Sequence, residues 1–70
     1  MKYTVIYESG PRNWSAYVPD LPGCITAGKT HADTEQNIQE AMEFHIEGLR
    51  LRREPVPEPT AEAGMVEVAA

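Results

Sequence analysis

Short runs that alternate apolar and polar positions fill the first part of the chain, as expected of β-strands. Residues 2–8 are rich in strand-forming side chains, and residues 14–18 place Trp14, Ala16 and Val18 on one face. A loop rich in turn-forming residues separates these runs, which predicts an antiparallel hairpin. Residues 24–28 add a third short strand. We therefore predict a three-stranded antiparallel meander over residues 1–29. The sequence does not decide which face of this sheet the helix covers.

A proline-rich turn connects the second and third predicted strands. Pro19 and Pro22 each fix φ and hold the preceding residue outside the helical region. Gly23 and Gly28 supply backbone freedom on either side of the third strand. This turn and strand join the strand-rich part of the chain to the helical part, so the rest of the fold is organised around them.

A long amphipathic helix is predicted over residues 30–53. Thr30 is a favourable N-cap residue, with Asp33 at the position of the acidic partner in a capping box. Arginines at the other end suit the helix dipole. At helical spacing, one apolar face collects Ile38, Ala41, Met42, His45 and Leu49, with Ile46 at its edge. This face predicts packing against the sheet.

Two apolar residues lie off that face. Phe44 and Leu51 form a second small stripe, with Gly48 between them. They are either partly buried at the edge of the domain or in contact with another chain. A chain this short buries only about 60% of its unfolded surface, and small domains often oligomerise to gain stability. We therefore expect a homo-oligomer, a dimer or a tetramer, with Phe44 and Leu51 as candidate interface residues.

The C-terminal part predicts an extended connection followed by a last strand. Alternating prolines make residues 54–64 an extended, semi-rigid segment. Residues 65–70 then predict a short strand, which after a crossover helix is expected to lie parallel to an earlier strand, beside the first. The predicted fold class is α+β with the order β-β-β-α-β, in a single domain over residues 1–70. Disorder of this terminal segment is the alternative.

Composition limits the possible functions. The 70 residues carry a net charge of -5, which argues against direct nucleic-acid binding and is compatible either with a basic partner or with simple solubility. The single cysteine excludes an intrachain disulfide and suits a reducing compartment. No apolar run approaches the roughly 20 residues of a membrane span, and the N-terminus does not begin a signal peptide. We expect a cytoplasmic protein without membrane contact.

No catalytic arrangement can be argued from the residues, so we expect no enzymatic activity, cofactor or metal. Cys24 and His45 are interpreted as packing residues, and His31 as a solvated one. Two weaker alternatives concern sites on the sheet. A metal-dependent nuclease would use carboxylates such as Glu8, Asp20 and Glu40. A stacking platform for single-stranded nucleic acid would use Tyr7, Trp14 and Tyr17.

The chain resembles the HicB-like antitoxin family over nearly its whole length. The resemblance is carried by residues 17–24 (Tyr-Val-Pro-Asp-Leu-Pro-Gly-Cys), by the Gly28-x-Thr30 pair and by three groups in the helix. Those groups are Asn37, Glu40-Ala41 and His45-x-x-Gly48-Leu49; the proline-rich segment 55–59 and the last valine strand also fit. The family often has Glu-Ala where this chain has Asp33-Thr34, a difference that should be tolerated.

This resemblance implies a partial ribonuclease-H-like fold without nuclease activity, since fold does not fix function. It implies an antitoxin of a bacterial type II toxin–antitoxin system. Its partner would be a HicA-like toxin, a small basic ribonuclease that cleaves messenger RNA and would be masked by the antitoxin. Many family members carry a C-terminal DNA-binding module, whereas this sequence ends at Ala70, directly after the predicted last strand. We therefore expect no operon repression through its own DNA contacts.

Candidate toxin-contacting residues are chosen for expected exposure and for charge. They are Trp14, Tyr17, Asp20, Leu21, Glu58 and Glu67. The alternative function is a stand-alone oligomeric regulatory or ligand-binding domain that has no toxin partner.

Overall fold

The computed structural model describes residues 1–70 and contains three strands followed by one helix. The strands are β1 (Ile6–Ser9), β2 (Trp14–Tyr17) and β3 (Ile25–Gly28), and the helix is α1 (His31–Leu51). The strands form one antiparallel sheet in the order β1-β2-β3. The predicted α+β class and antiparallel meander are confirmed, and each strand is shorter than its predicted run.

The register assigns the two faces of the sheet. Tyr7 lies opposite Ala16, which lies opposite Thr26, and this row faces the helix. Ile6, Tyr17 and Ile25 form the neighbouring row, on the other face. The helix packs mainly on β3 and β2. The helix therefore covers the sheet face that carries Ala16, a choice that the sequence did not decide.

The proline-rich turn explains why the β1–β2 pairing stops at Tyr17. Val18 N–H donates to the carbonyl of Cys24 (3.1 Å), and its carbonyl accepts from Leu21 N–H (3.1 Å), so both backbone groups are used inside the turn. Pro19 has no N–H to donate. Gly23 adopts φ 85°, a left-handed conformation that glycine takes at low cost. Residues 2–5, predicted as strand, consequently lie beside the turn without a strand partner.

The start of α1 is held by side-chain and backbone contacts around the predicted cap. Thr30 Oγ1 accepts from the N–H of Asp33 (3.0 Å), which confirms the N-cap. Asn37 Nδ2 donates to the carbonyl of Ala27 (2.9 Å), which fixes the helix to the end of β3. A Cβ at Gly28 would lie 2.6 Å from Oγ1 of Thr34, which is fully buried. Gly28 is thus required for the close approach of the helix to β3.

The helix ends two residues earlier than predicted, in a Schellman motif. Glu54 N–H donates to the carbonyl of Leu49 (2.9 Å), and Arg53 N–H donates to the carbonyl of Arg50 (3.1 Å). Arg53 occupies the left-handed position with φ 56°, where glycine is usual. This change of backbone direction releases the chain into the proline-rich segment.

The core is small and built from the turn as much as from the strands. Its five buried apolar residues are Ala16, Val18, Leu21, Cys24 and Ile38. The predicted apolar face of the helix is confirmed: Ile38 is buried, and its other members are half-buried. Cys24 is buried as predicted, and burial raises the pKa of its thiol.

The predicted last strand does not form. Residues 54–70 contain no regular secondary structure, and Met65, Val66 and Val68 are 100, 87 and 76% exposed. The chain is held only as far as Ala61, whose carbonyl accepts from Thr4 Oγ1 (2.7 Å). Beyond it, no neighbouring strand receives the valine side chains, and a single short strand gains nothing by ordering alone.

Candidate protein-binding surfaces

Asp20, a predicted partner contact, holds the C-terminal segment against the domain. Its Oδ2 accepts from the N–H groups of Thr60 and Ala61 (2.9 Å each), and its Oδ1 accepts from Thr60 Oγ1 (2.8 Å). These hydrogen bonds hold the pKa of Asp20 below its ordinary value of 3.8, and the bond from Ala61 N–H has the largest effect. The carboxylate therefore has an internal structural role that the sequence analysis missed, because its partners lie 40 residues away in a segment without a pattern.

Leu21 was expected to be exposed, and that expectation was wrong. Its side chain is 0% exposed in the core cluster. The turn that contains it folds back through the bond from Cys24 N–H to the Leu21 carbonyl (3.0 Å), which directs Leu21 inward. A leucine between two prolines in a turn is expected to be exposed, but in this fold Leu21 in the turn is part of the core.

Trp14 and Tyr7 contact the first residue of the helix. The His31 ring centroid lies 4.4 Å from that of Tyr7, and 5.0 Å from that of Trp14 in an edge-on arrangement. His31 is exposed, as predicted, but it is also part of this aromatic contact. Desolvation raises the pKa of Tyr7, with a further contribution from the charge of Glu35.

The aromatic residues do not form one stacking platform. Tyr7 and Trp14 lie on the helix-facing side of the sheet, whereas Tyr17 lies on the opposite side. Tyr17 is 40% exposed and stands next to Ile25, which is 70% exposed. This outer face carries apolar side chains that nothing in the chain covers.

The candidate carboxylates are not gathered into a metal site. Glu8 and Glu40 are exposed on β1 and α1, and the Asp20 carboxylate is occupied by the C-terminal segment. No group of three potential metal-ligating side chains occurs in the chain. No helix has the length and apolarity needed to cross a membrane.

The candidate oligomer residues are exposed on one side of the helix. Phe44 is 80% exposed and Leu51 is 77% exposed. Phe44 also lines a shallow depression at the β3 side, together with Ile25 and His45. The acidic candidates Glu58 and Glu67 are exposed in the C-terminal segment. These four residues are therefore available to a partner.

Comparisons with known proteins agree with this architecture. The model of the HicB-like antitoxin family of bacterial toxin–antitoxin systems matches residues 3–68. The UPF0150 protein Ta0767 of Thermoplasma acidophilum is 43% identical over 63 residues, which cover 89% of this chain and 91% of that protein. A UPF0150 protein of Synechocystis is 41% identical over 56 residues, covering 79% of this chain and 71% of its own length.

A solved structure is also similar. A chain of the HicA3 and HicB3 toxin–antitoxin complex superposes with a TM-score of 0.73 and 35% sequence identity. The match covers 86% of this chain and 70% of that chain.

Three residues that carry the family resemblance have clear roles in this fold. Gly28 permits the close approach of helix and sheet, and Thr30 and Asn37 fix the helix start. The chain belongs to the HicB-like antitoxin family of bacterial toxin–antitoxin systems.

Proposed function

We propose that this protein is a type II antitoxin that binds and masks a small, basic, HicA-like toxin that cleaves messenger RNA. The observation that carries the proposal is the likeness, at 35% identity and a TM-score of 0.73, to a chain from a HicA3–HicB3 complex. The family match over residues 3–68 supports the same role. Inhibition is by stoichiometric covering of the toxin surface in the cytoplasm, without catalysis or a cofactor in the antitoxin.

Charge complementarity supports a basic partner. The chain carries 11 acidic residues against 6 lysines and arginines. Complementary charge accelerates encounter and selects among partners more than it adds affinity. The same negative charge disfavours direct binding to nucleic acid, so any contact with DNA is expected to pass through other proteins.

Side-chain exposure reduces the set of toxin-contact candidates that the sequence predicted. Tyr17, Glu58 and Glu67 are exposed and remain candidates for direct toxin contact. Leu21 is excluded by burial, and Asp20 acts by positioning the C-terminal segment. Trp14, which is half-buried and contacts His31, also remains a candidate for toxin contact.

Self-association is a second part of the proposal. Phe44 and Leu51 present exposed apolar surface on the helix side that faces away from the sheet centre. Burial of such side chains contributes about 1.5–3 kcal/mol each, a useful gain for a domain with five buried apolar residues. We expect a dimer or tetramer built through this stripe.

Co-expression tests the binding proposal. If the gene beside this one encodes a small basic protein, that protein is produced with an affinity tag and purified together with the untagged antitoxin. A complex that stays intact through size-exclusion chromatography supports the proposal. Separate elution of the two proteins at micromolar concentration contradicts it.

A further inference from the structure

A groove separates β1 from the helix because the helix is offset toward β3. The helix packs on β3 and β2, so the inner face of β1 is left partly uncovered. The groove has a volume of about 650 Å³ and lies between the N-terminal segment with β1 and one flank of α1. Its floor is formed by Tyr3, Val5 and Tyr7, alternate residues that share one face.

The helix flank gives the groove an apolar wall and an acidic rim. Met42 and Ile46 line the wall. Glu35, Glu43 and Glu47 stand along the rim, with Arg50 as the one basic side chain among the lining residues. A ligand that fits this groove therefore combines apolar side chains with positive charge.

The part of the floor that belongs to β1, at Tyr7, is also an open sheet edge. β1 is the first strand of the order β1-β2-β3, so one edge of its backbone has no strand partner. An extended segment that pairs with such an edge places alternate side chains over one face of the sheet. Here those side chains would enter the groove, between β1 and the acidic rim of the helix.

Charge favours a basic segment of another protein in this groove over the C-terminal segment or a second copy of this chain. The C-terminal segment from residue 54 onward carries four acidic residues and no basic one, so its own free end is repelled by the rim. A second copy, with a net charge of -5, is a less favourable occupant of this acidic rim than a basic partner. The Phe44 and Leu51 stripe, in contrast, lies outside the groove.

We infer that the groove between β1 and α1 docks an extended, basic segment of the toxin, which adds a strand to the β1 edge and inserts its apolar side chains beside Met42 and Ile46. This inference rests on the proposed function and specifies its contact surface. It places the main contact on the helix side of the sheet, whereas the sequence-based candidate Tyr17 lies on the outer face.

Matched charge reversals on the helix test the inference. The double variant Glu43→Lys/Glu47→Lys reverses two rim charges, whereas Glu40→Lys/Glu62→Lys reverses two charges at exposed positions outside the groove. Kd for a HicA-like toxin is measured by calorimetry, with circular dichroism as a folding check. We expect at least a tenfold weaker Kd for the rim variant, equivalent to about 1.4 kcal/mol, and less than a twofold change for Glu40→Lys/Glu62→Lys.

Hydrogen exchange in the wild-type complex provides a second readout that needs no variant. We expect slower exchange at the β1 amides that point away from β2 when the toxin is bound. If the toxin binds but these amides stay unprotected and the rim variant binds normally, the groove is not the docking surface. Loss of binding in a Tyr17→Ala variant would then place the docking surface on the outer face of the sheet. If wild-type protein does not bind the toxin, the proposed function itself is overturned, and this inference with it.

Discussion

Asp20 holds Thr60 through both oxygens of its carboxylate. The Thr60 N–H donates to Oδ2 (2.9 Å) and the Thr60 hydroxyl donates to Oδ1 (2.8 Å). A turn residue between two strands thereby fixes a segment that lies beyond the helix. The position of the C-terminal segment thus depends in part on the ionisation of Asp20, beside the hydrogen bonds from Tyr3 to Pro57 and from Thr4 to Ala61.

We predict that acid or Asp20→Asn releases the C-terminal segment. The hydrogen bonds lower the pKa of Asp20 below 3.8, so their stabilising contribution is fully present above that pH and is lost as the pH falls through the lower, folded-state pKa. The protection factors of the Thr60 and Ala61 amides, which are corrected for the intrinsic pH dependence of exchange, should fall in acid and, at neutral pH, in Asp20→Asn. Asp33→Asn, an equal charge change at the exposed helix start, serves as the control. Equal exchange at Thr60 in wild type and Asp20→Asn would contradict this role.

Gly28→Ala should destabilise the fold by about 1–3 kcal/mol, the usual range for overpacking. The added Cβ would lie 2.8 Å from the backbone nitrogen of Thr34, so the helix start must shift. In a domain of this size, thermal melting falls by roughly 4–8 °C per kcal/mol. Gly64→Ala, with no atom within 4 Å of the new Cβ, should leave the melting temperature unchanged. Equal melting temperatures for the two variants would refute the packing argument.

Local signals predicted much of this architecture. Alternation gave the meander, and Thr30 with the helical apolar face located the helix, because these features depend on neighbouring residues. The predicted last strand was wrong because the valine pattern has no partner to pack against. The Asp20–Thr60 contact and the groove depend on tertiary placement, which no local pattern encodes.

Arg53→Gly should stabilise the protein by about 0.5–1 kcal/mol. Arg53 adopts φ 56°, which is unfavourable for a residue with a Cβ and easy for glycine. Arg53→Ala removes the same charge but keeps a Cβ at φ 56° and therefore gains no relief of strain. Chemical denaturation of both variants checks this expectation. A lower unfolding free energy for Arg53→Gly than for wild type would show that the left-handed position carries no significant strain.

Replacing the apolar stripe with charge should dissociate the oligomer. We expect wild-type protein to be a dimer or tetramer by light scattering at micromolar concentration, and Phe44→Glu/Leu51→Glu to be a monomer. Met65→Glu changes a fully exposed apolar residue in the C-terminal segment and should leave the assembly intact. A monomeric wild type would rule out this part of the proposal.

Inhibition of RNA cleavage tests the central claim most directly. A HicA-like toxin is incubated with messenger RNA while the antitoxin is titrated, with an unrelated ribonuclease as the specificity control. We predict that toxin cleavage falls in proportion to added antitoxin and is abolished at stoichiometric amounts, while the unrelated ribonuclease is unaffected. Unchanged cleavage by the toxin in the presence of excess antitoxin would contradict the account.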